Sequence, residues 1–120
     1  MTRLSHDVKS LARVLAWIGL IAIVVLSVVP ANERPVTGFS SLLEHFAAFA
    51  LVGAAFALGY DLSLGRLIFL ALIFCGGIEL LQAPLPTRHA RVSDFMIDFA
   101  AACVAIVIVH LGKRSLQKQI

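Results

Sequence analysis

Charged and amide side chains occur at three places in an otherwise apolar chain, and their types suit the recognition of a charged ligand. They are Glu44 with His45, Glu79 with Gln82, and the later group Arg88, Arg91, Asp94 and Asp98. Histidine and carboxylates can act as general acids and bases, and arginine binds phosphate through charge-assisted hydrogen bonds. We therefore predict one binding pocket from these eight residues. His45 and Glu79 are its candidate catalytic residues.

The spacing of these residues predicts shared helix faces. Glu79 and Gln82 are three residues apart, as are Arg91 and Asp94, and Asp98 follows four residues later. Residues at such spacings are neighbours on a helix surface. An ionised carboxylate about two turns into an apolar helix is costly, so Asp98 must be protonated, paired or bound to a metal. Its candidate partners are Arg88, Arg91 and His45.

The segments that must position these groups are long and apolar. Of 120 residues, 60% are hydrophobic and 14% are charged, against roughly 45–50% and about 25% in soluble proteins. A helical membrane span needs about 17–25 residues. We predict an all-α integral membrane bundle of four transmembrane helices, forming a single domain over 1–120. The predicted spans are 11–29, 42–59, 67–82 and 92–111.

Glycine and proline mark the ends of the predicted spans. A turn containing Gly65 is predicted over 60–66, and Gly112 is predicted to end the fourth span as a C-cap.

The first apolar run could instead be a signal peptide cleaved near Ala31. Its 19 apolar-rich residues exceed the usual ~7–15 of a signal peptide, which favours a retained span.

The basic residues predict the orientation of the bundle. Seven of the ten lysines and arginines lie in the N-terminal tail, the 60–66 turn and the C-terminal tail or beside them. The positive-inside rule then places both termini in the cytoplasm and the loops 30–41 and 83–91 outside. All eight candidate residues lie toward the outer side. The net charge of +3 fits cytoplasmic loops beside anionic lipid, and no nucleic-acid partner is expected.

Simpler roles exist for several of these residues. Glu44 could only cap a helix, His45 could be an interface residue, and Arg88 could be a loop charge. The set could also be a structural polar core that locks four short helices together. Glu79, Asp94 and Asp98 favour a site more strongly, because a purely structural role leaves acids in lipid.

No catalytic signature such as a P-loop, HExxH, GxSxG or CxxC is present. No metal and no cofactor are expected, since carboxylates with His45 form an unspecific ligand set. Cys75 and Cys103 lie in apolar runs, and we interpret them as small buried thiols and not as a disulfide.

The polar segments resemble those of the VanZ-like family. Residues 44–50, EHFAAFA, are similar to the HFxxFA-type segment that opens its second span. Residues 79–82, ELLQ, and 91–98, RVSDFMID, resemble its ExxQ and later R…D…N stretches. The resemblance covers about residues 17–110. It departs from the family at Asp98, where asparagine is usual, and the additional carboxylate puts any role that needs a neutral amide in question.

The resemblance implies a small multi-pass protein of the bacterial cytoplasmic membrane. The family's named member is associated with low-level resistance to the glycopeptide teicoplanin. One hypothesis is a cell-envelope protein that binds a lipid head group or a lipid-linked cell-wall precursor. Another is a hydrolase or transferase acting on a phospholipid or polyprenyl phosphate, with His45 or Glu79 as base and Arg91 stabilising phosphate charge. A proton-coupled carrier and a purely structural protein are further alternatives. The expected partners are membrane lipids, and a homo-oligomer is compatible with each hypothesis.

Overall fold

The computed structural model describes residues 6–28, 41–82 and 92–118, and these residues form four helices. They are α1 His6–Val28, α2 Ser41–Gly59, α3 Leu64–Gln82 and α4 Val92–Lys118. Side chains are described for 6–27, 43–81 and 95–115. The described part of the chain is entirely helical apart from the short connection at 60–63, which confirms the all-α prediction.

Three of the described helices are long and apolar enough to cross a membrane. The candidate spans are His6–Ser27, Leu64–Leu81 and Phe95–Ser115, and Leu43–Gly59 is a shorter apolar helix. Large apolar side chains such as Leu11, Ile18, Leu51, Phe69 and Ile108 point outward and are exposed. Soluble monomers rarely expose apolar surface on this scale, so these outer faces suit contact with lipid.

Two predicted helix boundaries were wrong. The helix α4 does not end at Gly112 but continues to Lys118, since nothing crowds the exposed glycine and a glycine inside a helix costs only about 1 kcal/mol. Gly65 lies inside α3 and not in the turn. Ser63 caps this helix, because its Oγ accepts a hydrogen bond from the Arg66 amide at 3.3 Å. The cap lets the helix begin before the apolar run does.

The helices alternate in direction, with α2 and α4 as the central, parallel pair. His45 lies next to Asp98 near one end of this pair, and Lys113 binds the Ala57 carbonyl near the other. The helix α1 packs mainly on α2, and α3 packs mainly on α4, while α1 and α3 touch little. The start of α1, the 60–63 connection and the end of α4 therefore share one end, the termini end. The opposite end, where His45 and Asp98 meet, is the polar end.

The contact between α2 and α4 depends on small residues. Ala101 and Ala102 of α4 are buried. A Cβ atom added to Gly53 of α2 would lie 3.0 Å from the carbonyl oxygen of Ala102 and 3.2 Å from its Cα. Close backbone approach through glycine and alanine is the usual way in which helices associate in lipid. The two central helices therefore touch backbone to backbone at Gly53.

The termini end is closed by cations that bind the last carbonyls of α2. Arg13 Nε donates to the Gly59 carbonyl at 2.7 Å, and Lys113 Nζ donates to the Ala57 carbonyl at 2.9 Å. The Arg13 guanidinium also lies 5.1 Å from the centre of the Tyr60 ring. A helix C-terminus leaves carbonyls unsatisfied and carries partial negative charge. Side chains from α1 and α4 thus both attach to the end of α2.

Asp61, just after α2, joins the same two helices. Its carboxylate accepts from Lys9 Nζ of α1 at 2.5 Å and from Lys113 Nζ of α4 at 3.2 Å. The hydrogen bond from Lys9, and after it that from Lys113, holds the pKa of Asp61 below its usual value. The carboxylate is 63% exposed, so each ion pair contributes only about 0.2–1 kcal/mol.

We predict that Gly53→Leu destabilises the fold and that Gly77→Leu does not. Leucine gains about 1 kcal/mol of helix propensity at either position, but at Gly53 it must displace the α4 backbone, which costs about 1–3 kcal/mol. Nothing lies within 4 Å of a Cβ at Gly77. Thermal unfolding in detergent measures both variants, and equal melting temperatures would contradict the close α2–α4 contact.

Candidate functional site

The polar end contains a histidine–carboxylate pair between the two central helices. His45 Nδ1 lies 3.3 Å from Asp98 Oδ1. The Asp98 side chain is only 3% exposed and that of His45 is 27% exposed. The His45 ring stacks on Phe49 one turn further along α2, with the ring centres 6.5 Å apart. The imidazole is thus held on one face by Phe49 and at Nδ1 by Asp98.

The His45–Asp98 pair offsets the energetic cost of burying the Asp98 carboxylate. A buried ionised carboxylate is tolerated when a cation or a donor meets it. Nδ1 of His45 can donate to Asp98 when it carries a proton, as in protonated histidine and in the Nδ1–H tautomer of neutral histidine. Among the described residues, His45 is thus the candidate partner that the fold places beside Asp98.

Glu79 and Cys75 of α3 lie at the same end of the bundle. The Oε1 atom of Glu79 is buried. Cys75 is buried against Phe49 and Ala101, and both Glu79 and Asp98 lie within electrostatic range of its thiol. The helix α3 therefore brings a second acidic group to the region of the His45–Asp98 pair.

The first helix also carries a buried polar residue near this end. Ser27 lies one residue before the end of α1, and its Oγ donates to the carbonyl of Ile23 at 2.6 Å. Each of the four helices thus contributes a polar side chain toward the polar end. They are Ser27, His45, Glu79 and Asp98.

The remaining predicted site residues divide into three groups. Glu44 is half-buried in the first turn of α2. Gln82 and Asp94 belong to the last turn of α3 and the first turn of α4, but their side chains lie outside the described set. Arg88 and Arg91 lie outside the described residues altogether. Their predicted part in the pocket stays a prediction.

Sequence reasoning missed three features of the molecule. Ser27 was overlooked because a serine inside an apolar run is common and bonds to its own helix. Cys75 was interpreted only as a small apolar residue, and the structure adds that it lies near two carboxylates. It is a free thiol, as is Cys103. The role of Asp61 was also missed, although an acid in a connection predicted to lie on the same side as most of the basic residues could have indicated an ion pair.

An apolar cavity adjoins the polar end. Its volume is about 470 Å³, within the usual ~300–1,000 Å³ of ligand pockets. All four helices line it, from Phe49 and Cys75 near the polar end to Tyr60 and Leu62 near the termini end. Phe49 lines this cavity and also stacks on His45, so the cavity and the histidine–carboxylate pair share this residue as a neighbour.

Among the described side chains, no group of three histidine, cysteine or acidic residues could hold a metal ion. Comparison with protein families, with curated proteins and with solved structures gives no match.

We predict that His45 and Asp98 stabilise the fold jointly. His45→Ala leaves the Asp98 carboxylate buried without this donor, which costs about 1–3 kcal/mol. The double variant with Asp98→Ala should cost less than the two single changes together, by about 0.5–3 kcal/mol. Unfolding in detergent measures this coupling. His110→Ala, further along α4, is the control and should be additive with Asp98→Ala, and additivity at His45 would contradict a direct interaction.

Proposed function

We propose that this chain is a four-span protein of the bacterial cytoplasmic membrane whose outward-facing polar end binds a lipid head group or a lipid-linked cell-wall precursor. The observation that carries the proposal is the His45–Asp98 pair. It joins a buried acid to a partly exposed base, and the base stacks on Phe49, which lines an apolar cavity. The resemblance of residues 44–50 and 91–98 to VanZ-like proteins supports a place in the cell envelope.

The distribution of charge supports an N-in/C-in orientation. The termini end collects Lys9, Arg13, Arg66, Lys113 and Arg114, and cytoplasmic loops carry such an excess. The shorter apolar helix α2 has 19 residues, which at 1.5 Å per residue is about 28 Å. This is close to the ~30 Å of a bilayer's hydrocarbon core, so α2 is long enough to be a fourth span.

We predict opposite labelling of the two ends by a membrane-impermeant maleimide. Thr87→Cys, in the predicted loop 83–91, should react in intact cells, and Ser115→Cys, near the end of α4, only after the membrane is permeabilised. The wild type is the background control, since Cys75 is buried and Cys103 half-buried. The reverse pattern, or labelling of both variants in intact cells, would exclude the proposed orientation.

The proposed binding chemistry is recognition of phosphate by protonated His45, which is paired with Asp98, and by Arg88 and Arg91. When His45 is protonated, both ring nitrogens are donors, and the Asp98 carboxylate balances the charge in a region of low dielectric. Arg88 and Arg91 would add charge-assisted hydrogen bonds to phosphate oxygens. Glu44, Glu79, Gln82 and Asp94 would contribute acceptors for the hydroxyl or amine groups of a head group.

A carboxylate that holds one nitrogen of a histidine also occurs in enzymes, where it orients a general base. The pair therefore favours a membrane-embedded hydrolase or transferase as a second candidate. In both cases the ligand is a phosphate-bearing lipid. The two candidates differ in whether the bound lipid is recovered intact or cleaved.

We predict that His45→Gln reduces the amount of the specific lipid that co-purifies with the protein. Loss of a charge-assisted hydrogen bond should lower retention about tenfold, which corresponds to about 1.4 kcal/mol. Lipid mass spectrometry after gentle detergent extraction measures this. His110→Gln is the matched control, because it makes the same change near the termini end, and should retain the lipids of the wild type.

The recovered lipids distinguish the candidates. An intact lipid that is depleted by His45→Gln and by Arg91→Gln supports binding. Lipid cleavage products that form with the wild type and not with His45→Gln support the hydrolase. If both variants carry the same lipids as the wild type in the same amounts, the polar end is a structural core and the proposal fails.

A further inference from the structure

The apolar cavity between α1 and α3 has no part in the chemistry assigned above to the polar end. Phe49, Phe56 and Gly53 of α2 and Ala102 and Ile106 of α4 form its floor, and its lining is almost wholly apolar. The cavity forms because α1 packs on α2 and α3 packs on α4, while α1 and α3 have little contact. The central pair therefore remains uncovered between the two flanking helices.

We propose that this cavity holds one hydrocarbon chain of the lipid whose head group lies at the polar end. The inference rests on the proposed function for the head group and adds the class of ligand, a lipid with at least one long chain that enters sideways between α1 and α3. The facing edges of the opening carry exposed apolar side chains. They are Trp17 of α1 and Leu70 and Ile73 of α3.

The dimensions of the cavity favour a single chain. It extends from Phe49 to Tyr60 along α2, which is about 16 Å at 1.5 Å per residue. Dividing the volume of about 470 Å³ by this length gives a mean cross-section of about 30 Å². A helix with side chains is about 10–12 Å across and does not fit, whereas an extended hydrocarbon chain does.

The two ends of the cavity differ, and this difference sets the direction of the chain. Next to Phe49 lies the His45–Asp98 pair. At the other end, Trp17 Nε1 donates to the Tyr60 hydroxyl at 2.8 Å. A chain attached to a head group near His45 would therefore end close to Trp17. Its path along α2 from His45 to Tyr60 is about 22 Å, beyond the midplane of a core about 30 Å thick.

Trp17 gives the cavity its own reporter, because it is the one tryptophan of the chain and lines the cavity. The probe is a single-chain lysophosphatidylglycerol with bromine on its chain, titrated into the purified full-length protein in a non-ionic detergent. Bromine quenches indole fluorescence on contact. We expect saturable quenching in the wild type, stronger with bromine near the methyl end of the chain than with bromine near the head group.

Filling the cavity should weaken this binding. Ala71 lines the cavity from α3, and Ala71→Phe should raise the probe concentration needed for half-maximal quenching about tenfold, or about 1.4 kcal/mol. Ala71→Met, a flexible filler, should act in the same direction if the phenylalanine variant does not fold. Ala22→Phe makes the same change on the exposed side of α1 and should leave the titration unchanged.

Several other results of these titrations would overturn the inference. Quenching that does not saturate in the wild type, or that Ala71→Phe and Ala71→Met leave unchanged, overturns the inference. Stronger quenching by bromine near the head group also overturns it, because the head group would then lie at the termini end. A change of oligomeric mass in Ala71→Phe without a change in quenching makes the cavity a contact between copies and equally overturns it.

The proposed function fails separately. If His45→Gln depletes the co-purified lipid while Ala71→Phe leaves both lipid recovery and quenching unchanged, the head-group site stands and the chain site is wrong. If Ala71→Phe weakens quenching while His45→Gln keeps all lipids, the cavity binds a chain and the polar end binds no head group.

Discussion

The structure depends on the close contact between α2 and α4. Gly53 has no side chain, so the backbone of α2 can lie against the carbonyl and Cα of Ala102. Lipid offers little hydrophobic driving force between helices, and close packing of small residues replaces it. This contact fixes the positions of the α2 and α4 axes. His45 of α2 then lies beside Asp98 of α4. A larger residue at Gly53 would separate the helices and with them the two members of the pair.

The two ends of this central pair are closed by different chemistry. At the polar end a buried acid, Asp98, lies beside a histidine, His45. At the termini end Arg13 and Lys113 bind the last carbonyls of α2, and Asp61 is shared by two lysines. The termini end is therefore an anchor that ties α1 and α4 to the end of α2.

The arrangement of the flanking helices follows from the same central pair. The helix α1 is tied to the end of α2 through Arg13, and α3 follows α2 after only four residues, yet α3 packs on α4 and barely on α2. The apolar cavity lies over the centre of the molecule as a result. Polar end, cavity and anchored end then form one continuous path along α2.

The sequence by itself determined the helices and the character of their surfaces, because apolar length and the breakers between runs are local properties. It also indicated that Asp98 needed a partner, since the cost of burying a carboxylate depends on the group and not on the fold. Sequence alone could not show that His45 lies beside Asp98, that α4 continues beyond Gly112, or that the cavity exists. These features depend on which helices touch and how closely. That was decided by the backbone contact at Gly53, whose partner Ala102 lies 49 residues away in the chain.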